Sequence, residues 1–216
     1  MQITTFLPAI LGCCCWAGIL GAQPASADEG LDRQAEREFD SGEYGAAARD
    51  LRAITERNPA NISAQILLGF ALFRQEKYVD SVPAYEKALA LEKGGRHLST
   101  DQHRIVTDQL AMAYGISGRL GKARDLLDAA IRQDPGYPLN YYNLACTFAE
   151  QGDEDKMLAN LDLAFQRKAN VLKGELMPDP TADPSFHRYV RDPGFVSLMR
   201  KLGVKPSAAP ATGANK

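Results

Sequence analysis

The fold is decided by residues 110–135, LAMAYGISGRLGKARDLLDAAIRQDP, whose pattern returns 34 positions later in residues 144–166, LACTFAEQGDEDKMLANLDLAFQ. The recurring positions are Leu110, Ala111, Tyr114, Gly118, Leu127 and Ala130, matched by Leu144, Ala145, Phe148, Gly152, Leu161 and Ala164. A repeat of this length is one helix–turn–helix unit, which cannot bury its own apolar face and therefore stacks on its neighbours. The sequence thus predicts an all-α solenoid of helical hairpins with a concave surface.

The spacing inside this unit has a physical logic. Ala111 and Ala123 are small residues that let the two helices cross closely, and Gly118 permits a tight turn between them. Pro135 closes the unit because proline is not tolerated in a helix interior. This order and spacing resemble the tetratricopeptide repeat family. The resemblance implies a right-handed superhelix of hairpins.

The resemblance covers residues 28–170 in four units, at about 28–61, 62–99, 104–137 and 138–171. The first unit contributes Ala35, Gly42, Tyr44, Ala47, Leu51 and Pro59, and the second contributes Leu68, Gly69, Tyr78, Ser81, Tyr85, Ala88 and Leu89.

Three residues depart from the repeat pattern. Glu76 replaces the turn glycine, Lys93 replaces the closing proline, and Met157 occupies a small position. The register also jumps by eight residues between the second and third units, so a longer loop is expected from Lys93 to Thr100.

The N-terminus predicts export from the cytoplasm. Residues 1–27 carry no charged side chain and contain an apolar run from Phe6 to Ala22, followed by small residues that favour signal cleavage after Ala27. Two alternatives stay open. The stretch ending at Cys13 loosely resembles the lipobox of bacterial lipoproteins, and Ile3 to Ala22 is about long enough to span a bilayer uncleaved. All three place the repeats outside the cytoplasm, in the periplasm or secreted.

Residues 172–202 are expected to cap the last repeat. Asp183-Pro184 and Asp192-Pro193 each suit a helix N-cap followed by a first-turn proline. The apolar side of these helices would consist of Phe186, Tyr189, Val190, Phe195, Leu198, Met199 and Leu202. The segment resembles the closing segment of some bacterial tetratricopeptide proteins. Ligand binding by Phe186 or Tyr189 is the alternative, and residues 203–216 have the composition of a disordered tail.

The charge balance and the motifs argue against several function classes. The chain has 25 basic and 27 acidic residues and a formal net charge of −2, whereas a nucleic-acid binder shows a basic face. His97, Asp101 and His103 lack the ligand spacing of a zinc site, so we expect solvated loop residues. Asp153 is predicted to be a helix N-cap rather than a calcium ligand.

We therefore predict no catalytic residue, no metal site and no cofactor. No small-molecule substrate is evident from the motifs. Cys146 is interpreted as a small apolar residue within a packed helix. An envelope enzyme using residues 93–103 or the C-terminal segment is the less favoured alternative.

The family resemblance implies a partner-binding groove along the first helix of each unit. Its residues would be Phe39, Ile66, Phe70, Phe73, Asp108, Met112, Ile116, Leu139 and Tyr142, together with Cys146. Glu36, Asp40 and Asp108 make this surface acidic as well as apolar, which suits an amphipathic helix or an extended apolar peptide. Two alternatives stay open: Phe70 and Phe73 are core residues, or the terminal segment covers the groove.

The expected function is a non-enzymatic protein-interaction scaffold, adaptor or assembly factor of a bacterial cell envelope. Its partner is expected to be a protein or peptide, without nucleic acid, and with a membrane contact only through a possible N-terminal anchor. A self-associating structural module is the first alternative, because self-association would also bury an exposed apolar groove.

Overall fold

The computed structural model describes residues 29–95 and 97–204, with side chains from Arg33 onward. The predicted leader, residues 1–27, and nearly all of the predicted tail lie outside this part. The helices are α1 (Glu29–Asp40), α2 (Tyr44–Arg57), α3 (Ile62–Arg74), α4 (Tyr78–Lys93), α5 (Thr100–Ile116), α6 (Leu120–Gln133), α7 (Pro138–Gln151), α8 (Glu154–Gln166) and α9 (Pro193–Leu202). Lys168–Asn170 and Pro184–Phe186 form short 3-10 helices. No strand occurs in the described ranges, so the all-α hairpin class is confirmed.

The described residues fall into two compact units, which are considered one at a time. The N-terminal unit comprises residues 29–126 and the C-terminal unit residues 127–204. Within residues 29–95 and 97–204, no helix has the length and apolarity that a membrane span requires.

The turn inside each hairpin uses left-handed backbone at the same repeat position. Gly42, Gly118 and Gly152 have φ values of 77°, 74° and 80°. Glu76 takes this place between α3 and α4 with a φ of 60°. A side chain at such a φ costs about 1–2 kcal/mol relative to ordinary backbone, so Glu76 holds the turn at an energetic cost that glycine avoids.

Several of the helices begin directly after a residue whose side chain caps the helix. The Asn61 side chain accepts a hydrogen bond from the Ala64 N–H at 3.1 Å and is the N-cap of α3. Asp153 caps α8 in the same way through the Lys156 N–H, as predicted. The long connection after α4 ends at Ser99, which forms a reciprocal capping box with Gln102.

Two apolar clusters make the core of the N-terminal unit. The first lies among α1 to α4 and includes Ala47, Leu51, Ile54, Leu68 and Leu72. The second lies among α3 to α6 and includes Ile66, Phe73, Tyr85, Val106 and Leu110. Ala47, Leu51, Leu68, Tyr85 and Leu110 are among the positions that the 34-residue pattern identified.

In the C-terminal unit, the segment after α8 folds back onto the last hairpin. Asp183 caps the second 3-10 helix and Asp192 caps α9, as the two Asp-Pro pairs predicted. Phe186 and Phe195 are fully buried, with ring centroids 6.0 Å apart. The 3-10 helix packs against α7 and α9 packs against α8, so the predicted capping contacts are present within this unit.

Candidate functional site

A row of aromatic rings joins helices α1 to α4 of the N-terminal unit. Phe39 of α1 meets Phe70 of α3 edge to face, with centroids 6.4 Å apart, and Phe70 meets Tyr85 in the same way at 5.7 Å. Phe39 also packs edge-on against Tyr44 at 5.4 Å. Edge-to-face pairs stabilise a fixed ring arrangement beyond simple area burial. The row is therefore rigid, and its members on α1 and α3 are half-buried.

The structure separates the predicted groove residues of this unit into two groups. Phe70, Met112 and Ile116 are partly exposed, and each packs against the second core cluster. Phe39 and Asp108 are likewise half-buried. We call these five residues the N-terminal face. Ile66 and Phe73, by contrast, have exposures of 1 % and 3 % and belong to the core itself, so a partner cannot contact them without unfolding the unit.

Asp108 gives the N-terminal face a negative charge next to a buried tyrosine. Burial, and secondarily the charge of Asp108, raise the pKa of the Tyr85 hydroxyl well above its usual value. In the described part of the chain, Tyr85 Oη is buried without a hydrogen-bond partner. The Gln109 side chain donates to Asp108 Oδ2 at 3.4 Å. The face therefore combines apolar side chains with the carboxyl group of Asp108.

Two basic residues lie near this face: Arg74 at the end of α3, and Arg104 on α5, four positions before Asp108. Arg74 follows Phe73 directly, and its guanidinium carbon lies 4.6 Å from the centroid of the Tyr44 ring. This stacking keeps the Arg74 charge over α2. Glu36 and Asp40, the two other acids assigned to the groove, lie on α1 beside Phe39, half-buried and exposed respectively.

In the C-terminal unit, the predicted groove residues lie under the terminal segment. Tyr142 and Leu139 of α7 have exposures of 2 % and 7 %. Tyr142 Oη donates a hydrogen bond to Asp183 Oδ2 at 2.9 Å, and its ring meets Phe186 edge to face at 5.8 Å. Burial is the main reason that the Tyr142 pKa is well above its usual value. The terminal segment thus covers this side of α7.

The same contact determines the surroundings of Cys146. Cys146 is half-buried, and its Sγ lies 3.9 Å from Asp183 Oδ2. Cys146 therefore does not sit in the purely apolar helix interface that the sequence suggested. Tyr189 Oη donates to the Ala149 carbonyl oxygen at 3.1 Å, which ties the segment to α7 a second time.

Sequence reasoning missed the second role of Asp183. The Asp-Pro pair correctly indicated an N-cap, and Asp183 Oδ1 accepts from the Ser185 N–H at 2.9 Å. Its other oxygen accepts from Tyr142, which lies 41 positions earlier in the chain. Residues far apart in the chain give no local sequence pattern that pairs them. The carboxylate next to an apolar segment is only a weak signal that such a pair exists.

The residues considered for metal binding or catalysis do not assemble into a site. His103 belongs to α5, is half-buried, and places Nδ1 2.7 Å from Glu92 Oε2 of α4, so the prediction of a solvated loop residue is wrong for His103. The helix begins earlier than the repeat pattern suggested because the Ser99 capping box extends it. His97 is exposed in the preceding loop. Within residues 29–95 and 97–204, no three His, Cys, Asp or Glu side chains are grouped to hold a metal ion.

Comparisons with known proteins agree with this architecture. Residues 33–95 match the family model described as Tetratricopeptide repeat. A search of curated proteins gave no match.

Several solved structures of MamA are similar. MamA 41-end from Desulfovibrio magneticus RS-1 has a TM-score of 0.62 and 14 % identity, covering 83 % of this chain and 94 % of that chain. A crystal structure of MamA protein has a TM-score of 0.60 and 16 % identity, covering 83 % of this chain and 96 % of that one. A further crystal structure of MamA has a TM-score of 0.58 and 18 % identity, covering 78 % and 91 %. At these identities the likeness shows the fold.

Proposed function

From the premise that this chain is a tetratricopeptide repeat protein, we propose that it is a non-enzymatic scaffold that binds a protein segment on the N-terminal face. Stacked helical hairpins present extended surfaces that serve protein–protein interaction. We also propose that the protein is an adaptor or assembly factor of the cell envelope. This more specific proposal rests on the composition of the leader. We propose that the leader exports the repeats and is cleaved after Ala27.

The observation that carries this proposal is the half-buried apolar face on α1, α3 and α5. Phe39, Phe70, Met112 and Ile116 are apolar side chains on the first helices that keep part of their surface in water. An apolar patch with a polar rim is typical of an interaction surface. The equivalent side of α7 supports the same interpretation, because there the terminal segment, with its 3-10 helix Pro184–Phe186, already lies against it.

The test is capture of partners by the full-length chain, carrying a C-terminal tag and expressed in the cells from which it comes. Met112→Glu places a charge in the middle of the N-terminal face and should abolish recovery of a specific partner. Val79→Glu is the matched control, because Val79 is 54 % exposed on α4, outside that face. Both variants are first compared with the parent by circular dichroism and thermal unfolding.

A partner recovered with the parent and with Val79→Glu, but lost with Met112→Glu, supports the proposal. Equal recovery with Met112→Glu contradicts it, and so does recovery of nothing except the tagged chain. The mass of the N-terminal peptide tests the leader separately, and the expected mature chain begins at Asp28.

A further inference from the structure

We propose that the part of the terminal segment from Asp183 to Val204 exchanges between two copies of this chain, so that it covers α7 and α8 of the other copy. The partner is therefore a second copy, which contributes its own Asp183 and Phe186 to the site on α7. Reciprocal exchange of an identical element is a low-cost route to a dimer. This inference goes beyond the proposed function, because it concerns the C-terminal unit and does not use the N-terminal face.

The contacts that hold this part on the last hairpin can equally be made by a second copy. Asp183 accepts a hydrogen bond from Tyr142, and Phe186 meets the Tyr142 ring edge to face. Tyr189 donates to the Ala149 carbonyl oxygen. Both copies have these groups, so exchange preserves the contacts. What exchange changes is confined to the residues that join this part to the hairpin.

The hinge between the two is short, because a fixed turn lies on each side of it. Before the hinge, the Tyr137 hydroxyl donates to the Glu175 carboxylate at 3.0 Å. After the hinge, Asp179 Oδ1 accepts from the Thr181 N–H at 2.8 Å. Residues 176–178, Leu-Met-Pro, join the two turns, and we call them the hinge. A short hinge that contains proline has little freedom to fold back, which favours exchange between copies.

The hinge also carries the apolar side chain that exchange would bury. Leu176 is 73 % exposed, against 54 % for Val79 and 38 % for Val196. Met177 and Pro178 beside it are half-buried. In a two-fold exchanged dimer the hinges pass each other at the symmetry axis, where a residue meets the same residue of the second copy. Burial of Leu176 there offsets the high effective concentration of the segment at its own hairpin.

The test is native mass spectrometry of a mixture of ¹⁵N-labelled and unlabelled full-length chains, in mild detergent because residues 6–22 are apolar. We expect a mixed two-chain species whose share rises with concentration up to about 0.1 mM. Leu176→Ser should weaken this dimer at least about tenfold, since two leucine side chains leave water when it forms. Val79→Ser is the matched control, because it changes an exposed apolar side chain outside the hinge and should leave the dimer unchanged.

The length of the hinge distinguishes exchange from side-by-side association. Deletion of Leu176 and Met177 leaves too little chain for the segment to fold back, and should raise the dimer share although it removes the exposed leucine. Insertion of about six Gly and Ser residues after Met177 should lower the dimer share, because a longer hinge lets the segment close on its own hairpin. Circular dichroism verifies the fold of each variant, and the insertion decides the question if the deletion variant does not fold.

A dimer that the insertion weakens and that Leu176→Ser weakens supports the inference. A parent that stays a single chain at every concentration overturns it. A dimer that Leu176→Ser weakens but the insertion leaves unchanged also overturns it, because the copies then associate without exchange. The capture experiment decides the role of the N-terminal face independently of these results.

Discussion

Gly69 of α3 lies directly against the ring of Tyr85 of α4: a Cβ added to Gly69 would come within 2.5 Å of Tyr85 Cε1. Tyr85 is completely buried, and its ring supports Phe70 on the N-terminal face. A glycine inside a helix costs about 1 kcal/mol relative to alanine. The close approach of α3 and α4 requires glycine at this position despite that cost. The position of the aromatic row depends on the same close approach.

Gly69→Ala is therefore expected to destabilise the protein, although alanine is the better helix former. The Tyr85 ring has no room to move, and overpacking of this kind costs about 1–3 kcal/mol. Urea unfolding followed by circular dichroism measures the change. Gly115→Ala in α5 is the control, because nothing lies within 4 Å of a Cβ added there, and it should leave stability unchanged or raise it. Equal stability of the two variants would contradict this account of α3–α4 packing.

Glu76→Gly is expected to stabilise the protein by about 0.5–1 kcal/mol. Glycine removes the strain of a φ of 60°, which outweighs the greater entropy of the unfolded chain. Gly118→Ala, at the equivalent turn after α5, should instead lower the stability of the protein, because alanine is strained at the φ of 74° that Gly118 adopts. Thermal unfolding of both variants is the measurement, and a lower melting temperature for Glu76→Gly would show that the Glu76 side chain itself stabilises the turn.

These two positions show how far the sequence predicted the fold. The 34-residue period predicted four hairpins because it depends on local spacing alone, and Glu76 was recognised as a departure from the turn glycine. The period could not predict which of Phe70 and Phe73 stays exposed. The two residues are three positions apart on one helix, and their burial depends on helices distant in sequence.

The candidate site was less predictable than the fold for the same reason. Capping pairs such as Asp183-Pro184 are local signals and were interpreted correctly. The hydrogen bond from Tyr142 to Asp183 joins residues that only the folded chain brings together, as does the contact of His103 with Glu92. The sequence left open whether the terminal segment covers the groove. In the structure, the contacts of that segment place it over α7.

Tyr142→Phe is expected to loosen the terminal segment. Loss of the hydrogen bond to Asp183 should cost about 0.5–1.5 kcal/mol while the Phe186 ring contact remains. Hydrogen–deuterium exchange should rise in residues 183–190 more than in α8. Tyr141→Phe, which removes a hydrogen bond to the Pro135 carbonyl oxygen instead, is the matched control. Unchanged exchange in the terminal segment would mean that the Asp183 contact does not hold it.

The contact between Glu154 and Asp192, where α8 meets α9, should be more favourable at a pH where Glu154 is protonated and Asp192 is still ionised than at neutral pH. A hydrogen bond to Asp192 raises the pKa of Glu154, whereas the Phe195 N–H lowers the pKa of Asp192. A carboxyl whose pKa is raised by folding stabilises the protein while protonated, and that contribution is lost as pH rises through the folded pKa. At neutral pH the two carboxylates carry like charges and repel each other.

Glu154→Gln should therefore stabilise the protein at about pH 8, because the amide donates to Asp192 at any pH. It should give little gain at about pH 4, which lies below the raised pKa of Glu154, because there the protonated carboxyl of Glu154 already donates to Asp192. Asp155→Gln, one residue along the first turn of α8, is the control for loss of charge alone. Urea unfolding at both pH values is the measurement. A gain from Glu154→Gln that is the same at both pH values would exclude the shared hydrogen bond as its cause.

The central claim is that the N-terminal face contacts a partner in the cell, and site-specific photo-crosslinking tests it most directly. A photoreactive phenylalanine analogue is placed at Met112 on the face or at Val79 on α4, in the full-length chain expressed in its own cells. We predict a discrete crosslinked adduct from position 112, which mass spectrometry identifies as a second protein, and none from position 79. No adduct from position 112, or the same adduct from both positions, would contradict the claim.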